Sequence, residues 1–419
     1  MEKQAALDLL EFIHESPTNF HAVLSIKQRL QAHGFKQLFS GEAWHIEHGG
    51  KYFVTKNHSS LYAFIPGNGN LAEEGFKLIC AHSDSPTFRI KPHAEMPVEG
   101  KYLKLNTEVY GGPIMYTWFD RPLSMAGRVM VKSDKPLKPA TQFINFDRPL
   151  LEIPHIAIHF NRAVNDQGNP LSKQRDMLPV IAMINETFEK DNFLLKLIAQ
   201  EMNIPAEDIL DFDLTLYEYG KGTLFGLNNE FISSGRLDDL AMVHAGLTAL
   251  LDSKPCNKTK VLAIFDNEEV GSGTKQGAAS PILRTILERV AFNQGYKIEE
   301  LYRAIHNSFM ISADMAHALH PNYPEKHDPT NHPIMNQGPV IKINANQKYI
   351  TMAGVPYQTF VNHSDMAGGS TLGNILLTQM EMRGVDIGNP MWAMHSVRET
   401  AGVLDQDYVI KAFTTFYNI

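Results

Sequence analysis

Three short apolar runs in this chain each break off into a cluster of ionisable residues. Phe76 to Ala81 leads into His82 and Asp84, and Val261 to Phe265 into Asp266, Asn267, Glu268 and Glu269. Phe309 to Ala313 leads into Asp314, with His317 and His320 close behind. Carboxylates gathered in one place repel one another and raise one another's pKa values unless a cation neutralises them. A metal ion resolves this, and imidazole nitrogen with carboxylate oxygen, without sulfur, suits Zn²⁺, Mn²⁺ or Co²⁺. A carboxylate shared between two ions gives a pair that can clamp and activate a water.

Each of these residues also has a plain structural explanation. His82 with Asp84 reads as a metal-ligand histidine and its orienting carboxylate, or as a strand-end turn in which Asp84 caps backbone amides. Adjacent Glu268 and Glu269 after a buried strand are costly unless a partner or metal neutralises one of them. One can then bind metal while the other accepts a proton from water; the alternative is a solvated loop, against which the tight Val270-Gly-Ser-Gly273 sequence argues. Asp238 and Asp239 stand where the helix dipole alone favours aspartate. His395, after the last extended run, has a structural explanation too. Gly368, Gly369, Ser370 and Thr371 open a helix and suit either an ordinary cap or an anion or peptide carbonyl held by backbone amides. Ser272 lacks the preceding strand of a nucleophile elbow.

Segments this far apart can meet only if a sheet delivers them to one edge. Ligands bind beyond the carboxyl ends of strands in open parallel sheets. The periodicity predicts amphipathic helices through Leu7, Leu10 and Ile13 and through Val23, Ile26 and Leu30. After Ser233 it predicts helices over about Leu237–Leu251 and Ile282–Val290 and a helix from Ser370 to about Met382. An extended run over Val385–Met394 and a closing helix ending near Phe416 follow. Strands alternating with helices give an α/β fold, a mostly parallel sheet flanked by helices. Between about Lys91 and Ser233 the pattern changes to glycine pairs, prolines and short alternating segments, among them Tyr102–Val109, Arg128–Val131 and Ile156–Phe160. A helix is expected at Glu189–Met202. Residues 92–233 therefore read as a β-rich insert in a domain made of residues 1–91 and 234–419.

A chain of 419 residues is long enough for two such domains. A net charge of −8 without a run of lysines and arginines disfavours nucleic acid or an anionic membrane as partner. No stretch reads as a signal peptide or membrane span. Two cysteines, Cys80 and Cys256, exclude a disulfide framework and a thiolate zinc site, which suits a reducing cytoplasm.

The motifs Ala81-His-Ser-Asp-Ser-Pro86, Gly235-Arg-Leu-Asp238, Asp266-Asn-Glu-Glu-Val-Gly-Ser272, Ser312-Ala-Asp-Met-Ala-His-Ala318 and Ala393-Met-His-Ser-Val-Arg-Glu399 run in order along the chain. In them the sequence resembles the M18 family of metallopeptidases, the aspartyl aminopeptidases and their bacterial relatives. The resemblance implies a zinc-peptidase domain with an inserted dimerisation domain, and two zinc ions per subunit. It implies one ion on His82, Asp238 and Asp314 and the other on Asp238, Glu269 and His395, with Asp238 bridging and Glu268 as general base. It implies peptide substrates with free N-termini and a homo-oligomer, a dodecamer built from dimers. His159, or else His155, is then the histidine that reaches a neighbouring subunit's active site. Lys342 stands where the family is thought to read an acidic first residue; a solvated strand lysine is the plain alternative. The rival readings are the same two-zinc aminopeptidase with a non-acidic preference, and an inactive peptide- or metal-binding scaffold.

Overall fold

The apolar run ahead of His82 lies at the middle of a nine-stranded sheet. The computed structural model describes residues 3–185, 192–342, 355–365, 369 and 371–419. It divides into two compact units, one of Met1–Ser85, Gly222–Met394 and Arg398–Ile419, the other of Pro86–Lys221 with His395–Val397. Residues 87–91 lie in a strand of the second unit, and the hairpin Thr223–Phe225/Phe231–Ser234 in the first.

In the first unit Phe76–His82 pairs in parallel with Thr259–Phe265 on one side and Phe309–Ala313 on the other. Phe309–Ala313 in turn pairs in parallel with Arg383–Gly388. Every residue of Phe76–His82 and Thr259–Phe265 is buried, as expected for strands covered on both faces. Their side chains alternate between two cores. Ile79, Ala81, Leu262 and Ile264 face the helices Gln4–His14, Asn19–Ala32, Leu237–Leu251 and Val403–Asn418. Leu78, Cys80, Val261 and Ala263 face Ile282–Asn293, Ile298–His306 and Leu372–Gln379. Antiparallel ladders flank this parallel centre: Thr259–Phe265 with Ser60–Ile65, and Arg383–Gly388 with Val340–Lys342.

Several local expectations change. The extended run over Val385–Met394 is two strands, Arg383–Gly388 and Pro390–Trp392, which join different sheets. At the break, a Cβ on Gly388 would stand 1.9 Å from the Asp314 carbonyl oxygen, so only glycine allows this approach. The helix expected to reach Met382 stops at Gln379, because Met380 is already extended. Ser370 and Gly368 lie outside the described residues, as do Glu189–Asp191 of the helix expected at Glu189–Met202; that helix is described over Phe193–Met202.

The second unit is built on an antiparallel six-stranded sheet in the order Ala140–Asn145, Leu123–Val131, Ile209–Glu218, Thr87–Val98, Tyr102–Tyr110, Val180–Met183. Leu194 and Ile198 of Phe193–Met202 join its core with Phe88, Leu105 and Met125. The segment Ile156–Phe160 is not a strand; it contains the short turn Ile158–Phe160 and is exposed throughout. Pro154 lacks a donor for a ladder, and the His155 N–H is taken by Asp120 Oδ1 at 2.9 Å.

Candidate metal centre

The strand register brings the three ionisable clusters to one height. Phe265 pairs with His82, and Ser312 pairs with Cys80, so Asp314 stands level with His82. Asp238 and Asp239 come from the start of Leu237–Leu251, whose backbone is non-helical at both residues. They are therefore not ordinary first-turn aspartates. The Asp238 N–H donates to Glu399 Oε2 at 3.1 Å, and Ser85 Oγ donates to the Asp238 carbonyl at 2.7 Å.

His82 is the hub. Its Nε2 lies 3.4 Å from Asp238 Oδ1, 3.9 Å from Asp314 Oδ1 and 4.0 Å from Asp239 Oδ2. Its Nδ1 faces the Asp84 carbonyl oxygen at 3.1 Å. A carbonyl only accepts, so a ring proton sits on Nδ1 and Nε2 is the atom that faces the carboxylates. One ligand atom from each of His82, Asp238, Asp239 and Asp314 fits within 4.8 Å, and so do His82, Glu268 and Glu269.

The Asp84 side chain does more than orient the ring. Its Oδ1 accepts the Glu268 N–H at 3.1 Å and its Oδ2 the Glu269 N–H at 3.2 Å. Both glutamates sit on the single turn Glu268–Val270 directly after the strand Thr259–Phe265.

The electrostatics are those of a crowded anionic site. Burial, with Asp314, Asp84 and Asp238 adding and His82 opposing, pushes Glu268 up to about 7. Burial and then Asp238 push Glu269 up to about 10. Burial lifts the Asp239 carboxyl well above the usual range. Burial would lower His82, but Asp239, Asp238, Asp314 and Asp84 together hold it well above its ordinary value. Burial would likewise raise Asp314, yet Lys342 holds it down from 3.1 Å. A divalent cation relieves such crowding. The residues fit one: the donor set is nitrogen and oxygen, and Asp239 Oδ1 is buried without a hydrogen-bond partner.

The other candidates are placed differently. His395 belongs to the second unit, where its Nδ1 faces the Gly112 carbonyl at 3.1 Å; that again leaves the proton on Nδ1 and the lone pair on Nε2. His159 is exposed, while His155 is held by the Ile156 carbonyl at 2.8 Å and by the Phe119 ring. His320 Nδ1 accepts the Asn322 N–H, and His317 lies against Phe360, so neither joins the metal groups. Gly369 is exposed. The following helix start already faces an anion of the chain itself: Thr371 Oγ1 donates to Asp386 Oδ2 at 3.0 Å. Sequence reasoning left Asp239 only as the alternative to Asp238 and gave Glu399 no role. The first is legible only as an acidic neighbour of Asp238, and the second shows only once Pro390–Trp392, Glu399–Gly402 and Phe231–Ser234 have paired.

Comparison with known proteins agrees with this chemistry. The profile of the family described as Aminopeptidase I zinc metalloprotease (M18) matches residues 12–417. A Clostridium acetobutylicum protein described as a probable M18 family aminopeptidase 2 is 54% identical over 431 aligned positions, covering 100% of this chain and 99% of that protein. Among solved structures, a chain in the cryo-EM structure of the Ape4 and Nbr1 complex superposes with a TM-score of 0.93 at 39% identity, covering 99% of this chain and 86% of that one. The S. cerevisiae mApe1 dodecamer gives 0.84 at 26% identity, covering 99% of this chain and 96% of that one.

Proposed function

Because the chain belongs to the M18 family of zinc metallo-aminopeptidases, we propose that it binds two zinc ions per subunit and removes the first residue, preferably Asp or Glu, from peptides with a free amino terminus. His82, Asp238 and Asp314 would hold one ion, and Asp238, Glu269 and His395 the other. The observation that carries this reading is the convergence of His82, Asp238, Asp239 and Asp314 ligand atoms within 4.8 Å, overlapping the group of His82, Glu268 and Glu269.

Zinc, when bound, would supply Lewis acidity at the scissile carbonyl and favour ionisation of the attacking water. The protein groups handle protons and position. Glu268 takes the proton of the water and returns it to the leaving amine as the C–N bond breaks and the new C–O bond forms. A carboxyl near 7 is suited to both transfers at neutral pH. Asp84 holds the His82 ring and the backbone of Glu268 in one frame.

Lys342 is the cation that supports an acidic preference. A second reading has a specific observation in its favour: the Lys342 ammonium is already 3.1 Å from Asp314 Oδ2. A non-acidic first residue is then equally well served. Zinc content, and hydrolysis of a panel of Asp-, Glu-, Leu- and Lys-anilides with and without chelator, test these readings. Equal rates across the panel remove the acidic preference. Full zinc with no turnover of any free N-terminus turns the protein into a scaffold.

The insert supports a homo-oligomer, a dodecamer built from dimers, with His159 reaching a neighbouring active site. Its exposed Ile156, Ile158 and Phe160, the last 81% exposed, offer an apolar surface for a second copy. Light scattering of wild type and Phe160→Asp tests this, and an unchanged mass would remove the segment from the interface. A cytoplasmic location is supported by the free cysteines, one of them buried. Among the described residues no helix is long and apolar enough to cross a membrane.

A further inference from the structure

Glu268 can act as a base only if its turn is held in place, and Asp84 is not the only group holding it. The chain leaves the strand Thr259–Phe265 at Asp266 and turns through Asn267, which has a left-handed φ of 63°. Asp266 is 2% exposed. Its Oδ1 accepts the Asn267 N–H at 2.8 Å and the Asn19 side-chain amide at 2.9 Å. The Asn19 amide has a determined orientation, because its Oδ1 accepts the Phe20 N–H at 3.0 Å and leaves Nδ2 to face Asp266. From the other side, Asn267 Oδ1 accepts Thr274 Oγ1 and Gln276 Nε2, each at 2.8 Å. The Asp266 N–H returns to the Gln276 carbonyl at 3.2 Å.

A buried carboxylate without a cation beside it is expensive unless donors surround it. Here the donors are the backbone of the base turn and a side chain from the first turn of Asn19–Ala32. The second helix of the first unit is thereby tied to the residue immediately before Asn267-Glu268. A turn of three residues has little internal restraint of its own, so these outside bonds set where the Glu268 carboxylate points.

We infer that Asp266, clamped by Asn19, is a positioning residue for Glu268 in peptide hydrolysis. It acts through the Asn267 N–H. This rests on the reading of Glu268 as the base.

The test uses the full-length, zinc-loaded enzyme and the variants Asp266→Ala, Asp266→Asn and Asn19→Ala, with Glu268→Gln as reference. Each is assayed for kcat and KM on one peptide, for zinc stoichiometry and for melting temperature. Asp266→Ala should lose about 100-fold in kcat, the effect of misplacing a reacting group by about 1 Å, with KM and zinc stoichiometry unchanged. Asp266→Asn keeps an acceptor for the Asn267 N–H and should restore most of that loss. Asn19→Ala should show a smaller loss, about 10-fold, again in kcat alone. A kcat for Asp266→Ala within about threefold of wild type, while Glu268→Gln is inactive, overturns the positioning role and leaves the base assignment intact. Loss of zinc with a rise in KM alongside the fall in kcat also overturns it, since that is the mark of a collapsed site. Near-normal turnover by Glu268→Gln removes the base assignment and this inference with it.

Discussion

Asp84 and Glu268 are joined through the backbone: the Asp84 carboxylate accepts the Glu268 N–H at 3.1 Å while the same oxygen stands 3.4 Å from His82 Nδ1. One residue thus borders the ring of the candidate metal ligand His82, through its carbonyl and its carboxylate, and fixes the backbone of the neighbouring acid. Asp84→Asn presents an amide where the two backbone donors of Glu268 and Glu269 need acceptors. It should reduce turnover or zinc affinity by about 10- to 100-fold. Steady-state kinetics with a zinc competition titration checks this, and parallel losses in both are expected.

Glu268→Gln separates proton transfer from metal binding. Glutamine has the size of glutamate but no basicity, so turnover should drop by about 10²- to 10⁴-fold. Zinc stoichiometry, read by metal analysis after dialysis, should stay that of wild type. A variant with near-normal rates would remove Glu268 from the role.

Gly388 faces the backbone of Asp314. A methyl group there would stand 1.9 Å from the Asp314 carbonyl oxygen, so Gly388→Ala must push two neighbouring strands apart. Overpacking of this kind costs about 1–3 kcal/mol, and the displaced Asp314 should weaken zinc binding as well. Melting curves of apo and zinc-loaded protein check it: zinc should raise the melting temperature of the variant less than that of wild type.

Asp405 supplies a pH dependence away from the metal centre. It is buried, and its carboxylate accepts the Asn336 N–H at 2.6 Å and the Gly338 N–H at 2.8 Å. Burial nevertheless outweighs these donors and pushes it up to about 7. The folded protein therefore holds this proton to higher pH than the unfolded chain. Stability falls as pH rises from about 4 to about 7, by up to roughly 4 kcal/mol, and is flat above. Denaturant unfolding of wild type and Asp405→Asn over that range checks the sign. The difference between the two should shrink the wild-type slope in the variant.

The clusters after Ala81, Phe265 and Ala313 were legible because the apolar runs before them are buried strands, whose ends have few uses for so many charges. Which of Ile79, Ala81, Leu262 and Ile264 or Leu78, Cys80, Val261 and Ala263 faces which core was not, because an unbroken apolar run carries no period-two signal. Ile156–Phe160 shows the limit. Its alternating residues suit a strand, but a strand needs a partner, and the described sheet has none for it. The break at Gly388 was hidden as well, because it depends on the carbonyl of Asp314, distant along the chain.

Residue types and their order along the chain were enough to point to an α/β fold, a nitrogen–oxygen donor set and the family, since these depend on local periodicity and short motifs. Tertiary structure alone decided which atoms face one another. The approach of His82 Nε2 to Asp238 and Asp314, the Asp238 N–H bond to Glu399, and the Asp84 bonds to Glu268 and Glu269 all join segments far apart in sequence. Hydrogen bonds act over about 3 Å, and only the packed strand register brings such segments that close.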